Sequence, residues 1–194
     1  MRRLLSIIAT LAALSAGALS AGEGDVMKVG DIAPLIKGTA TDGSTIDLAE
    51  FKDKVVLVGF FAMWCGGCVA EMPRLESEVY QPYKGAGLQV IEVGRGHHYT
   101  DLAAFKRNHG FHFTIVGDPQ RAIYNKFATD YIPRCYVIGK DGRIKFTSTG
   151  MNEGDFAEMK RRIVQELAVP IEKIAGKVEK AATPTSNSEL LDGK

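Results

Sequence analysis

The apolar run Val55-Val56-Leu57-Val58-Gly59-Phe60-Phe61-Ala62, leading into Met63-Trp64-Cys65-Gly66-Gly67-Cys68, constrains this chain's fold more than any other stretch. Rich in β-branched and aromatic residues, it suits a strand buried on both faces of a parallel sheet, although a short apolar run alone also fits a buried helix. From Val69 the period changes, with Val69, Met72, Leu75 and Val79 recurring at helical spacing. Two cysteines therefore stand where a strand gives way to a helix, separated by two glycines.

Such a junction aims free backbone N–H groups, and the positive end of the helix dipole, at the first cysteine. A thiol there ionises more readily, and the thiolate is the nucleophile. The C-x-x-C spacing brings the second thiol within bonding reach of the first. Cys65, at the exposed end, is placed to attack a disulfide, and Cys68, one turn inside, to attack the mixed disulfide and release the product. A structural disulfide or half of a zinc site would use the same spacing, but the flanking strand and helix favour redox chemistry. Glu71 lies one helical turn from Cys68 and faces the same way, so its carboxylate is a candidate acceptor for the Cys68 proton. A solvated helix charge is the other reading of that glutamate.

Arg2 and Arg3 precede Leu4 to Leu14, apolar apart from Ser6 and Thr10, and small residues continue to Ala21. This is the layout of a cleaved secretory signal peptide over residues 1–21, with cleavage after Ala16/Ala18 or Ala18/Ser20. An uncleaved N-terminal anchor is the alternative. The expected location is the periplasm or the outside of the cell, with no membrane contact after cleavage. Loss of Arg2 and Arg3 takes the formal charge from +1 to −1, and neither value points to nucleic acid. In an oxidising compartment three cysteines leave one thiol without an internal partner. With 45% apolar and 24% charged residues, the composition is that of a globular protein.

Residues 22–29 read as a polar linker, residues 30–169 as one domain, and the Lys-, Ala-, Thr- and Ser-rich residues 170–194 as a flexible tail. Pro34 to Leu48 reads as two short strands around Asp42-Gly43. Leu88 to Val93 is a second buried strand, and Thr100 is expected to cap a helix that Gly110 stops, with Leu102 and Phe105 inward. Phe113 to Val116 is a short apolar segment. Asp118-Pro119 is expected to start a further helix burying Ala122, Ile123 and Phe127. A strand entered through Pro133 then turns at Gly139 to Gly142, and a last helix runs from Glu153 to Ala168 with Phe156, Met159, Ile163 and Leu167 on one stripe.

Trp64-Cys65-Gly66-Gly67-Cys68 after a buried strand, Glu71, Pro73 in the same helix and Ile132-Pro133 before a late strand resemble the thioredoxin-like superfamily. Within it the chain is most similar to the extracytoplasmic TlpA/ResA-type thiol-disulfide oxidoreductases, relatives of the AhpC/TSA redoxins that include proteins of cytochrome c maturation. The resemblance covers about residues 30–168. It implies an α/β thioredoxin-like fold, with a central mixed β-sheet flanked by helices and an N-terminal β-hairpin. By this resemblance Cys65 is the attacking and Cys68 the resolving thiol of a redox-active disulfide, and Pro133 is a cis-proline beside them. Trp64, Gly66, Gly67, Ile132 and Arg134 then border the substrate groove. The partners implied are a client protein with a disulfide or thiols and an upstream thiol-disulfide electron-transfer protein. No cofactor or metal is implied, and the protein is expected to be a monomer.

Some residues depart from that pattern. Gly66-Gly67 lacks the usual proline, and Arg134 replaces a common small polar residue, a change expected to alter substrate choice. Many thioredoxins carry a buried aspartate in the strand, and the matching position here is Gly59, which leaves Glu71 as the only evident acid-base group. Cys135, flanked by apolar strand residues, is expected to be buried and inert, a third redox role being the alternative. His97 and His98 follow the second buried strand and can share the sheet edge with Cys65. His109 and His112 could join the cysteines around a metal, although loop histidines are usually solvated. Gly94-Arg95-Gly96 lacks the remaining glycine of a phosphate loop. The competing functions are an extracytoplasmic copper-binding module built on Cys65, Cys68 and a loop histidine, and a thiol peroxidase. With no cation between the cysteines and Glu71 nearby, the dithiol is expected to act as a reductant.

Overall fold

A hairpin of β1 (Lys37–Thr39) and β2 (Thr45–Asp47) opens the regular structure in the computed structural model, which describes residues 24–168. The expected signal segment and the C-terminal tail lie outside the described residues. Next come β3 (Val55–Phe61), α1 (Gly66–Arg74) and, after π-type turns over Leu75–Tyr80, the short α2 (Gln81–Tyr83). β4 (Leu88–Arg95), α3 (Tyr99–His109), β5 (Thr114–Asp118), β6 (Arg134–Ile138), β7 (Ile144–Thr149) and α4 (Glu153–Leu167) complete the order. The central sheet runs β5-β4-β3-β6-β7, with β3, β4 and β5 parallel and β6 and β7 antiparallel to their neighbours.

β3 lies in the middle, and each of its residues is buried. Val55, Leu57 and Phe61 face one core together with Cys68, Met72 and Val79, and Val56, Val58 and Phe60 face the other with Ile36, Tyr124 and Phe127. This two-sided burial explains why the run shows no polar alternation. The crossovers β3–α1–β4 and β4–α3–β5 step in the same direction along the sheet, so right-handed connections place both helices on one face. Accordingly Leu102 of α3 shares the first core with α1 and with Phe156, Met159 and Ile163 of α4. Pro73 sits inside α1 and cannot donate to the preceding turn, and the widened turns follow directly after it. The hairpin guards the β5 edge through an Ala40–Val116 bridge and the Thr41 N–H to Ile115 carbonyl bond at 3.0 Å.

Three local expectations change. Residues after Asp118 form only a 3₁₀ turn, Tyr124–Lys126, because the buried Asp118 carboxylate accepts from the Ile123 and Tyr124 N–H groups at 3.1 and 2.9 Å. Ala122 is exposed there, while Ile123 and Phe127 are buried as expected. α3 begins two residues early, with His98 at the N-cap position and Thr100 within the first turn.

The third change concerns residues 24–29, which are docked rather than a loose linker. Asp25 bridges to Ala128, and the N–H groups of Val26 and Met27 both donate to the Phe127 carbonyl. The Asp25 carboxylate is buried and accepts from the Arg134 guanidinium and, at 2.8 Å, from the Tyr136 hydroxyl. Arg134 also donates through Nε to the Asp130 carbonyl at 2.6 Å. Removing one partner of a buried pair strands the other's charge, so Asp25→Ala should cost about 3–5 kcal/mol in urea unfolding. A loss below about 1 kcal/mol would show that the pair carries little of the fold.

Candidate active site

β3 ends at Phe61, Ala62 accepts from the Cys65 N–H at 3.0 Å, and α1 starts at Gly66, so Cys65 occupies the N-cap with extended backbone (φ −86°, ψ 95°). Its sulfur accepts the Cys68 N–H at 3.2 Å and is bonded to the Cys68 sulfur, the two Cα atoms being 5.3 Å apart. The cysteines differ in access: Cys65 is part-exposed, whereas Cys68 is 2% exposed and packs with Met72 and Phe61. Trp64 projects outward at 69% exposure, and Gly66 and Gly67 are open to solvent. The Ile132–Pro133 bond is cis. Tyr131, which sequence reasoning passed over, stands exposed two residues before that proline.

Beneath the disulfide lies a cavity of ≈ 40 Å³ bordered by Cys68, Glu71, Glu92, Pro133, Cys135 and Met159. That volume holds a few waters. Cys68, Glu71 and Pro133 thus line one cavity, but Glu71 is not the only acid there. Glu92 of β4 pairs in register with Gly59 of β3, and a Cβ at Gly59 would lie 2.0 Å from Glu92 Oε1. The missing side chain makes the space that the neighbouring strand's carboxyl fills. One acid within the apolar stretch Val90 to Val93 was the available signal.

Desolvation governs both groups. It pushes Glu71 up to about 7 against the pull of Arg74, and Glu92 up to about 8, with the Glu71 charge adding to the rise. Arg74, held by Glu78 at 2.7 Å and Glu153 at 2.5 Å, offsets only part of the Glu71 rise. Cys135 is a buried free thiol on the same cavity, and burial holds its pKa far above the ordinary thiol range.

Arg134 borders the cavity, yet its side chain is fully buried and its guanidinium is engaged by Asp25 and the Asp130 carbonyl. The expected groove contact is therefore not made by that group. His97 does approach the site: its Nε2 accepts the Met63 N–H at 3.1 Å. Accepting there requires a neutral ring with the proton on Nδ1, and burial lowers the His97 pKa in the same sense. His97 therefore braces the residues leading into Cys65 without adding a cation. His98 is exposed, His109 lies against the Phe105 carbonyl and His112 pairs with Glu76. Among the described residues no group of three or more His, Cys, Asp or Glu could hold a metal ion.

Comparison with known proteins follows the same geometry. Residues 29–147 match the AhpC/TSA family. The thiol-disulfide oxidoreductase ResA of Geobacillus kaustophilus is 30% identical over 128 residues, spanning 66% of this chain and 73% of the relative. ResA of Bacillus subtilis is 26% identical over 147 residues, spanning 76% and 81%. Among solved structures, the thioredoxin domain of a thiol-disulfide oxidoreductase from Bacteroides vulgatus superposes with TM-score 0.62 at 20% identity, covering 71% of this chain and 99% of that domain. A secreted thiol-disulfide isomerase from Corynebacterium glutamicum gives 0.58 at 22%, covering 69% and 86%. These two show the fold.

The raised carboxyls have a consequence for stability. Folded protein retains protons that the unfolded chain has released, so their contribution is full below about 4.5 and is lost as pH rises through about 7 and 8. His97, with its lowered pKa, acts in the opposite sense, so the comparison is made against a variant that keeps it. Oxidised Glu92→Gln should gain on wild type in unfolding free energy as pH rises from about 6 to 9. A difference that stays constant over that range would place the Glu92 carboxyl in a more hydrated setting.

Proposed function

Because this chain belongs to the AhpC/TSA family and is a thioredoxin-like thiol-disulfide oxidoreductase of the TlpA/ResA type, we propose that it works outside the cytoplasm as a reductant of protein disulfides. The observation that carries this reading is the asymmetry of the disulfide: an accessible sulfur at a helix start, and a buried one above two carboxyls.

In the proposed cycle the Cys65 thiolate attacks a client disulfide. A Cys65–client bond forms, the client S–S bond breaks and the leaving client sulfur takes up a proton. Cys68 then loses its proton, attacks Cys65 Sγ and forms the Cys65–Cys68 bond, releasing the second client thiolate. Two electrons pass from the dithiol to the client, and an upstream thiol-disulfide protein must return them. Glu71, one helical turn from Cys68 and with its pKa raised to about 7, is suited to take the Cys68 proton. Trp64, Gly66, Gly67 and the Ile132–Pro133 segment, with Tyr131 added, would meet the client. The docked Arg134 is left to hold the proline loop.

The direction follows from charge. A strong oxidant stabilises the thiolate of its reduced form with cations or dipoles. Here the helix start assists Cys65, but His97 is held neutral and the buried carboxyls disfavour a second anion. The basic-then-apolar N-terminus supports an extracytoplasmic location, and no described helix is long and apolar enough to cross a membrane. A client in cytochrome c maturation is the finer proposal, resting on likeness to the TlpA/ResA type alone. Equilibration with glutathione or dithiothreitol buffers should give a midpoint nearer about −270 mV than about −120 mV. A midpoint more oxidising than about −150 mV would overturn the reductant reading.

A further inference from the structure

We propose that Glu92 is a second catalytic carboxyl, which shares with Glu71 the uptake of the Cys68 proton as the mixed disulfide is resolved. The assignment rests on the reductase reading and extends it. Glu92 is carried by a strand with no other function in the site, yet it is 6% exposed and borders the cavity beneath Cys68. Among the described residues no neighbour donates a hydrogen bond to its carboxyl. An acid held in a core without a partner costs stability, and a strand interior would ordinarily carry Val or Ile there. Room for it exists only because β3 has glycine at position 59: any side chain there would overlap the carboxylate, whose Oε1 lies 2.0 Å from the site of a Cβ. The cavity admits the few waters a relay needs.

The groups facing Glu92 are few. α1 contributes Cys68 and Glu71, the latter attracted by Arg74, and β6 contributes Arg134, engaged by Asp25 and the Asp130 carbonyl, and Cys135, which also feels Asp155 of α4. Two carboxyls that repel one another release protons in two steps that belong to the pair. Near neutral pH such a pair holds one proton and has an open oxygen with basicity close to the working pH, the condition for efficient proton transfer. In the resolving step the Cys68 S–H bond breaks, its proton passes to the pair directly or through water, and the sulfur electron pair forms the bond to Cys65 while the client sulfur leaves with its own.

Stopped-flow mixing of the reduced protein with 5,5′-dithiobis(2-nitrobenzoate) separates the two attacks, since Cys65 releases the first equivalent of thionitrobenzoate and Cys68 the second. Glu92→Gln should leave the first phase unchanged and slow the second by about tenfold, with the Glu71→Gln/Glu92→Gln double variant slower by about a hundredfold. The pH dependence of the second phase should lose its higher apparent pKa in Glu92→Gln. Moving the acid across the strands, as Gly59→Asp/Glu92→Ala, should restore much of the second phase that Glu92→Ala loses, which a packing role would not do. A second phase within twofold of wild type in Glu92→Gln from about pH 6 to 9 overturns the assignment, whatever the fate of the strand-swapped variant. Wild-type protein that releases only one equivalent overturns the reductase reading, and the assignment with it.

Discussion

The burial of β3 on both faces is the constraint on which the site depends. Helices α1, α3 and α4 cover one face and the residues around Ile36, Tyr124 and Phe127 the other, so β3 reaches solvent only at its ends. At its C-terminal end the chain must turn into α1, and that turn presents Cys65 while α1 carries Cys68 back under cover. The difference between the two sulfurs is thus a product of the layering, and nothing in the Cys-Gly-Gly-Cys motif alone would generate it. Pro133 directly precedes β6, which pairs with β3 on the side opposite β4, so three adjacent strands position the proline, the cysteines and Glu92.

Electrostatics at the site is decided by desolvation more than by pairing. Arg74 is the cation that acts on Glu71, but it is bonded to Glu78 and, joining α1 to α4, to Glu153, and the cavity carboxyl stays undercompensated. Arg134 is likewise committed, to Asp25 and the Asp130 carbonyl. His97 is fixed as a hydrogen-bond acceptor and so is held neutral. Potential cations are therefore present around the disulfide and each is already engaged. An environment that resists negative charge is what raises the carboxyls of half-buried Glu71 and buried Glu92.

Much of this was legible in the sequence, for identifiable reasons. Apolar runs mark β3 and β4, helical spacing marks α1 and α4, and the cysteine spacing with the late proline marks the site, because each is a local signal. What stayed hidden depends on register and on long-range contacts. Gly59 reads alone as the loss of an acid, and only the pairing of β3 with β4 reveals that Glu92 supplies one. Arg134 reads as a groove residue until strand alternation turns it, with Tyr136, away from Cys135 and toward Asp25, a residue more than a hundred positions earlier. The segment after Asp118 had helical spacing, but a buried carboxylate bonding two successive N–H groups settles it into a short turn instead.

The asymmetry of the two sulfurs is the central claim, and trapping tests it most directly. Cys68→Ser and Cys65→Ser proteins, each allowed to react with disulfide-bearing partner proteins and then alkylated, are compared for mixed disulfides on non-reducing gels. An accessible attacker above a buried resolver predicts that Cys68→Ser accumulates mixed disulfides through Cys65, while Cys65→Ser accumulates almost none. Equal trapping by the two variants, or more by Cys65→Ser, would contradict it.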